Sequence, residues 1–175
     1  MAADSITARC PVIGFVAASG TGKTTLLQTL IARLKARGLA IGVVKHSHHD
    51  FDIDIPGKDS YVLRKAGAGQ VMVASRQRWA LMTETPDRQE DPDLADLLRH
   101  LDTGRLDLVL VEGFKHEAFP KIELHRAALD HPLLYPSDPR IIAVASDTPL
   151  PDAPLPVLDL NDPDAVAGFL LTQLR

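Results

Sequence analysis

The sequence contains one cysteine, Cys10. A lone thiol excludes an internal disulfide and leaves nothing for a cysteine-based zinc site, which favours a reducing compartment, the cytoplasm. Positive charge is not in excess either. Against 23 Asp and Glu stand 19 Lys and Arg, a formal net charge of −4. No global basic field is available to attract a polyanion, so nucleic acid is not an expected partner. Long apolar runs are also missing. None approaches the roughly 18–20 residues that a helix needs to span a bilayer. The mixed residues Met1 to Arg9 do not form the apolar core of a secretion signal. A soluble protein with no membrane association is expected. Its 175 residues have ordinary globular proportions and read as a single nucleotide-binding domain over 1–175, large enough for one core.

What is present is concentrated near the start, in Pro11 to Leu27, PVIGFVAASGTGKTTLL. Val12 to Ala17 is an apolar run of the kind buried on both faces of a parallel sheet. Small residues follow, and Gly22-Lys23-Thr24-Thr25 opens a helix. Strand, small-residue loop and helix N-terminus is the order that a phosphate-binding loop requires. Gly20 and Gly22 permit backbone angles that let successive N–H groups converge on anionic oxygens. Ser19, Gly20, Thr21, Gly22, Lys23, Thr24 and Thr25 are therefore the expected nucleotide-binding residues. Lys23 is the expected charge on the β- and γ-phosphates and Thr24 the expected magnesium ligand. The pattern G-x-x-x-x-G-K-[ST] is met except at its first position, where Ala17 stands in place of Gly.

Leu26, Leu27, Leu30, Ile31 and Leu34 continue at helical spacing, and Gly38 is placed to end the helix. Leu39 to Val44 reads as a second buried strand, completing a right-handed strand–helix–strand crossover. Further strands are expected at Leu106–Val111, Ile122–His125, Arg140–Ala145 and Val157–Leu160. Helices are expected from Asp93 to Gly104 and from Asp162 onward. Gln70–Ala74 and Arg78–Thr83 predict a small β-hairpin, although no Asn-Gly or Asp-Gly sits between them. The fold class is α/β: a doubly wound, mostly parallel sheet of phosphate-loop NTPase topology with a β-hairpin insertion.

Strand ends in such a sheet carry function. Glu112 follows the apolar strand ending at Val111, where an acid beside a phosphate loop can hold a magnesium-bound or attacking water. Gly113 then lets the backbone pass close to the phosphates. Lys45-His46-Ser47-His48-His49-Asp50-Phe51-Asp52-Ile53-Asp54 follows the second strand. Its three His and three Asp fit a transition-metal site, a nucleotide- or substrate-edge loop, or a solvated polar loop. Lys115, His116 and Lys121 could contact an acidic ligand or merely hydrate. Asp147 follows a late strand, where guanine-specific proteins place a base-reading carboxylate, but the usual preceding Asn-Lys or Thr-Lys is absent. Arg64 and Arg126 could serve the site, without a place that the sequence fixes.

Ser19–Leu27, Val43–Tyr61 (VVKHSHHDFDIDIPGKDSY), Arg78–Met82 and Leu106–Arg126 (LDLVLVEGFKHEAFPKIELHR) together resemble the MobB family of P-loop GTP-binding proteins. That is molybdopterin-guanine dinucleotide biosynthesis protein B. The phosphate loop is shared with very many proteins, whereas the His/Asp segment leading into Pro-Gly-Lys-Asp-Ser and the Val-Glu-Gly-Phe-Lys segment are far more specific. The resemblance covers nearly the whole chain and implies GTP with Mg2+ as cofactors, a homodimer, and weak hydrolysis. It also implies a helper role beside the guanylyltransferase that joins GMP to molybdopterin. Whether molybdopterin itself touches the chain is left open; Lys45, His46 and Lys115 are the candidates, since an anionic pterin phosphate favours basic residues at strand ends. The residues by themselves also fit a small-molecule kinase using ATP or GTP, with His48, His49 or Asp50 as base.

Overall fold

The computed structural model describes residues 8–47, 51–87 and 90–174, in two compact units. One comprises the described residues up to His46 and from Asp93 onward; the other is Ser47–Pro92.

The first unit is built on six strands: β1 (Val12–Val16), β2 (Ile41–Lys45), β5 (Leu108–Glu112), β6 (Lys121–His125), β7 (Ile141–Ser146) and β8 (Val157–Asp159). They lie in the order β2-β5-β1-β6-β7-β8, and every neighbouring pair is parallel. β1 is buried at all its positions, as its unbroken apolar run requires. Its alternate residues serve two layers. Ile13 and Phe15 pack with Leu26, Leu30 and Leu34 of α1 (Lys23–Ala36) and with Val166 and Leu170 of α4 (Pro163–Thr172). Val12 joins Val109 and Val111 of β5 against Leu94 and Leu98 of α3 (Leu94–Leu98) on the opposite face. Helices thus cover both faces, giving the doubly wound parallel sheet that the apolar runs predict.

Gly38 ends α1 as expected, with φ of 84° and its N–H on the Lys35 carbonyl. The helix expected from Asp93 to Gly104 is shorter. Asp93 does cap it, its carboxylate accepting the Asp96 N–H at 3.0 Å, but α3 stops at Leu98 and a separate 3-10 turn occupies Thr103–Arg105. The apolar stripe of Leu94 and Leu98 runs on to Leu101, which packs on the same core, but beyond Leu98 the chain leaves the α-helix.

The second unit holds α2 (Asp59–Lys65) and the antiparallel pair β3 (Gln70–Ala74) and β4 (Trp79–Thr83). The hairpin is the expected one. Its turn is closed by Ser75, whose N–H donates to the Arg78 carbonyl at 2.8 Å and whose Oγ accepts the Gln77 and Arg78 N–H groups. Arg64 is fixed inside this unit by Glu84 at 2.9 Å and by Asp52, which places it among these acids.

Candidate nucleotide-binding site

The loop after β1 has the backbone that its glycines allow. Gly20 and Gly22 adopt φ of 79° and 98°, angles that a side chain would resist. Gly22 is the N-cap of α1, offers no side-chain cap, and the first turn carries no acid. The leading N–H groups and the positive end of the helix dipole are left for an anion. Lys23 folds back into the loop, where Nζ donates to the Ala17 carbonyl at 3.0 Å and the Ala18 carbonyl at 3.2 Å. Thr21 is buried, and its hydroxyl donates to Ala18 at 2.8 Å. Ala17 is not among the residues with left-handed backbone, so the side chain standing where the pattern has Gly imposes no backbone strain. Burial pulls the Lys23 ammonium below its ordinary pKa, with Glu112 opposing and Lys45 assisting that shift.

Sheet register places the acid. Glu112 lies opposite Phe15 of β1 on one side and opposite Lys45 of β2 on the other. Its carboxylate is half-buried and pairs with the exposed Lys45 ammonium at 3.3 Å. Thr24 and Thr25 are exposed on the first turn of α1. Beyond Glu112 the chain takes two successive left-handed residues, Gly113 at φ 100° and Phe114 at φ 54°. A Cβ at Gly113 would lie 2.7 Å from the His46 Cβ, so the glycine's immediate reason is His46. The His46 ring stacks on Phe114, centroids 4.9 Å apart, and the His46 N–H donates to the Glu112 carbonyl at 2.9 Å. Lys45, His46, Glu112 and Gly113 are thus brought together at the ends of β2 and β5. A non-glycine residue held at positive φ is backbone strain of the kind found at functional segments.

Asp147 stands just beyond β7, and its carboxylate accepts the Ala127 N–H at 3.0 Å and faces Arg126 at 3.5 Å. Arg126 is the residue that strand-by-strand reading left unplaced. It leaves the end of β6 and its Nε donates to the Thr21 carbonyl at 2.9 Å, while Nη1 reaches Asn161 at 3.5 Å. The available signal was its position one residue past a buried strand. Lys121, read as a ligand contact or a hydrated side chain, is neither. It is 1% exposed, donates to the carbonyls of Lys115 and Glu117 at 3.0 and 2.7 Å, and pairs with Asp138 at 2.8 Å. Lys115 and His116 are exposed. His48, His49 and Asp50 lie outside the described residues. Among the described residues no His, Cys, Asp and Glu side chains cluster as a metal site, and no helix is long and apolar enough to cross a membrane.

Residues 12–147 match the family described as molybdopterin guanine dinucleotide synthesis protein B. The molybdopterin-guanine dinucleotide biosynthesis adapter protein of Escherichia coli is 56% identical over 166 residues, covering 94% of each chain. Its counterpart from Haemophilus influenzae is 45% identical over 161 residues, 91% of this chain and 87% of that one. Among solved structures, a MobB homologue from Bacillus stearothermophilus superposes with a TM-score of 0.68 at 29% identity, over 94% of this chain and 97% of the other. Bacillus subtilis MobB gives 0.73 at 25% identity, over 94% and 98%.

Proposed function

The chain belongs to the molybdopterin guanine dinucleotide synthesis protein B family, and on that premise we propose that it is a GTP-binding adapter in molybdenum cofactor maturation. In this reading it assists the guanylyltransferase that attaches GMP to molybdopterin. The observation that carries the nucleotide reading is the loop itself: Lys23 folded against Ala17 and Ala18, between left-handed glycines and an uncapped, acid-free α1. Lys23 and the loop N–H groups would hold phosphate oxygens. The Thr24 hydroxyl, with Glu112 acting through water, offers the oxygen donors that Mg2+ prefers. Bound there, Mg2+ would supply charge neutralisation between neighbouring phosphates. Asp147 is the candidate for reading the base, which requires it to leave the Ala127 N–H.

Slow hydrolysis follows from the same geometry. Glu112 is already paired with Lys45, and Arg126 has its Nε on the Thr21 carbonyl. Neither group is poised as a strong base or a free phosphate clamp, and such positioning dominates phosphoryl chemistry. Nucleotidyl transfer is assigned to the partner enzyme. A homodimer is supported by the hairpin of the second unit. Met72, Leu81 and Trp79 share one face of it, with Met72 60% and Trp79 65% exposed, a patch of the sort that marks a protein interface. The cell compartment in this reading is the cytoplasm.

The test is reconstitution. Adding the protein to guanylyltransferase, molybdopterin and GTP with Mg2+ should raise the yield of molybdopterin guanine dinucleotide, and Lys23→Ala should abolish the gain. Transfer of phosphate from nucleotide to a small acceptor by this protein alone would instead make it a kinase.

A further inference from the structure

Two charged side chains on β6 are almost wholly buried: Lys121 at 1% and Glu123 at 2% exposure. They sit two residues apart, and so project from the same face of the strand, opposite to Ile122 and Leu124, which pack with α1 and α4. Buried charges are costly and weak as sources of stability. Each is employed in pinning backbone. Lys121 holds the carbonyls of Lys115 and Glu117. Glu123 accepts the N–H groups of Leu134 and Tyr135 at 2.7 and 2.9 Å. Between the two segments so fixed lies a cavity of about 210 Å³.

Its walls have a consistent chemistry. Leu129, Pro132 and Leu134 give an apolar floor, and Lys115, His125, Arg126 and His131 are set around it. The acid in the lining, Glu123, has both oxygens engaged by backbone N–H groups. The cavity meets the phosphate loop at Ala17, Ala18 and Thr21, but Gly20, Gly22, Lys23, Thr24 and Glu112 do not line it. Arg126 belongs to both places, because its Nε holds the Thr21 carbonyl.

We propose that this cavity is a second ligand site, separate from the nucleotide seat, that takes a small phosphomonoester carried on an apolar body. The apolar body lies on the apolar floor and the phosphate meets Lys115 and His131, with Arg126 held in the wall by the Thr21 carbonyl. The inference rests on the nucleotide reading only in treating the adjoining loop as the place of the nucleotide phosphates. Arg126 links the two sites, so filling the cavity changes nucleotide affinity, and by reciprocity the nucleotide changes affinity for the cavity ligand.

Phenyl phosphate is the probe, with inorganic phosphate and phenol as comparisons. Binding to the whole protein is followed by calorimetry and by amide NMR shifts, with and without saturating GTP and Mg2+. The expected result is one saturable site for phenyl phosphate, tighter than for either comparison, retained with GTP present. Shifts should centre on the amides of Lys115, Leu134 and Tyr135. Lys115→Ala and His131→Ala, both at exposed side chains, should each weaken it about tenfold, as expected for loss of a charge-assisted hydrogen bond. Lys23→Ala should leave it in place. Displacement of phenyl phosphate by GTP, its loss in Lys23→Ala, or binding indifferent to Lys115 and His131 would overturn the proposal. No binding at all would do the same. Should GTP fail to bind while phenyl phosphate binds through Lys115, the nucleotide reading falls and the cavity site stands.

Discussion

Lys121 and Asp138 show how single side chains set β1 against β6. Gly14 of β1 passes so near β6 that a Cβ would come within 2.7 Å of Lys121 Cγ and of the Phe119 ring. Gly14→Ala should therefore destabilise the fold by about 1–3 kcal/mol through overpacking, read as a lower urea midpoint. Asp138→Asn leaves the buried Lys121 ammonium with carbonyl partners alone, and should cost about 3 kcal/mol, since removing one partner of a buried pair is worse than never having it. Burial pushes the Asp138 carboxyl up, but the hydrogen bonds from Lys121 and the Arg140 N–H, with the charges of Lys121 and Arg140, together outweigh it and hold the group below the usual carboxylate range. A lowered folded pKa contributes stability above the unfolded value, about 3.9, and loses it as pH falls through the folded one. The gap between wild type and Asp138→Asn in urea unfolding should be full at pH 7 and shrink below pH 4. A gap independent of pH would show that the pair is not the source. Neither role was legible in the sequence. A lysine at the start of an apolar strand reads as exposed, and only the approach of Gly14 and Phe119 shows it to be enclosed. The position of Lys23 at the start of α1, by contrast, was legible, because its neighbours fix both the loop and the helix start.

At the scale of elements, strands buried on both faces were the easiest to read. β1 and β5 announce themselves as unbroken apolar runs, and register then sets Glu112 opposite Phe15 near the end of β1. The ends of amphipathic elements were harder to read, as α3 shows: the helix stops at Leu98 although Leu101, on the same stripe, still packs on the core. The hairpin was predicted from its two alternating runs, while its turn depends on Ser75 and not on a glycine pair. Its exposed face makes a prediction of its own. Trp79→Glu or Met72→Glu should shift the protein from dimer to monomer in light scattering after gel filtration, with the melting temperature nearly unchanged. Surface substitutions away from packed positions ordinarily move stability by no more than about 0.5 kcal/mol. A monomeric wild type, or dimers in both variants, would remove this face from the account. The histidine-rich segment after β2 shows a mixed case: composition drew attention to it, and among its described residues His46 stacks on Phe114 while Asp52 and Asp54 face Arg64.

For the molecule as a whole, the central claim is that the family fold is used here to hold GTP with Mg2+ at the loop between β1 and α1. The fold was readable because parallel strands and crossover helices leave few arrangements. The choice of nucleotide was not, since Asp147 is braced against Ala127 and Arg126 and base recognition depends on how that contact gives way. The direct test is the melting temperature of the protein with GTP, GDP, ATP or no nucleotide, each with and without Mg2+, beside Lys23→Ala. A ligand at a hundredfold excess over its Kd adds about 2.7 kcal/mol, or roughly 5–10 °C for a chain of this size. The account predicts that rise for GTP with Mg2+, a smaller one for ATP, and its loss in Lys23→Ala. An equal rise with ATP would contradict guanine specificity, and no rise with any nucleotide would contradict the phosphate-loop reading itself.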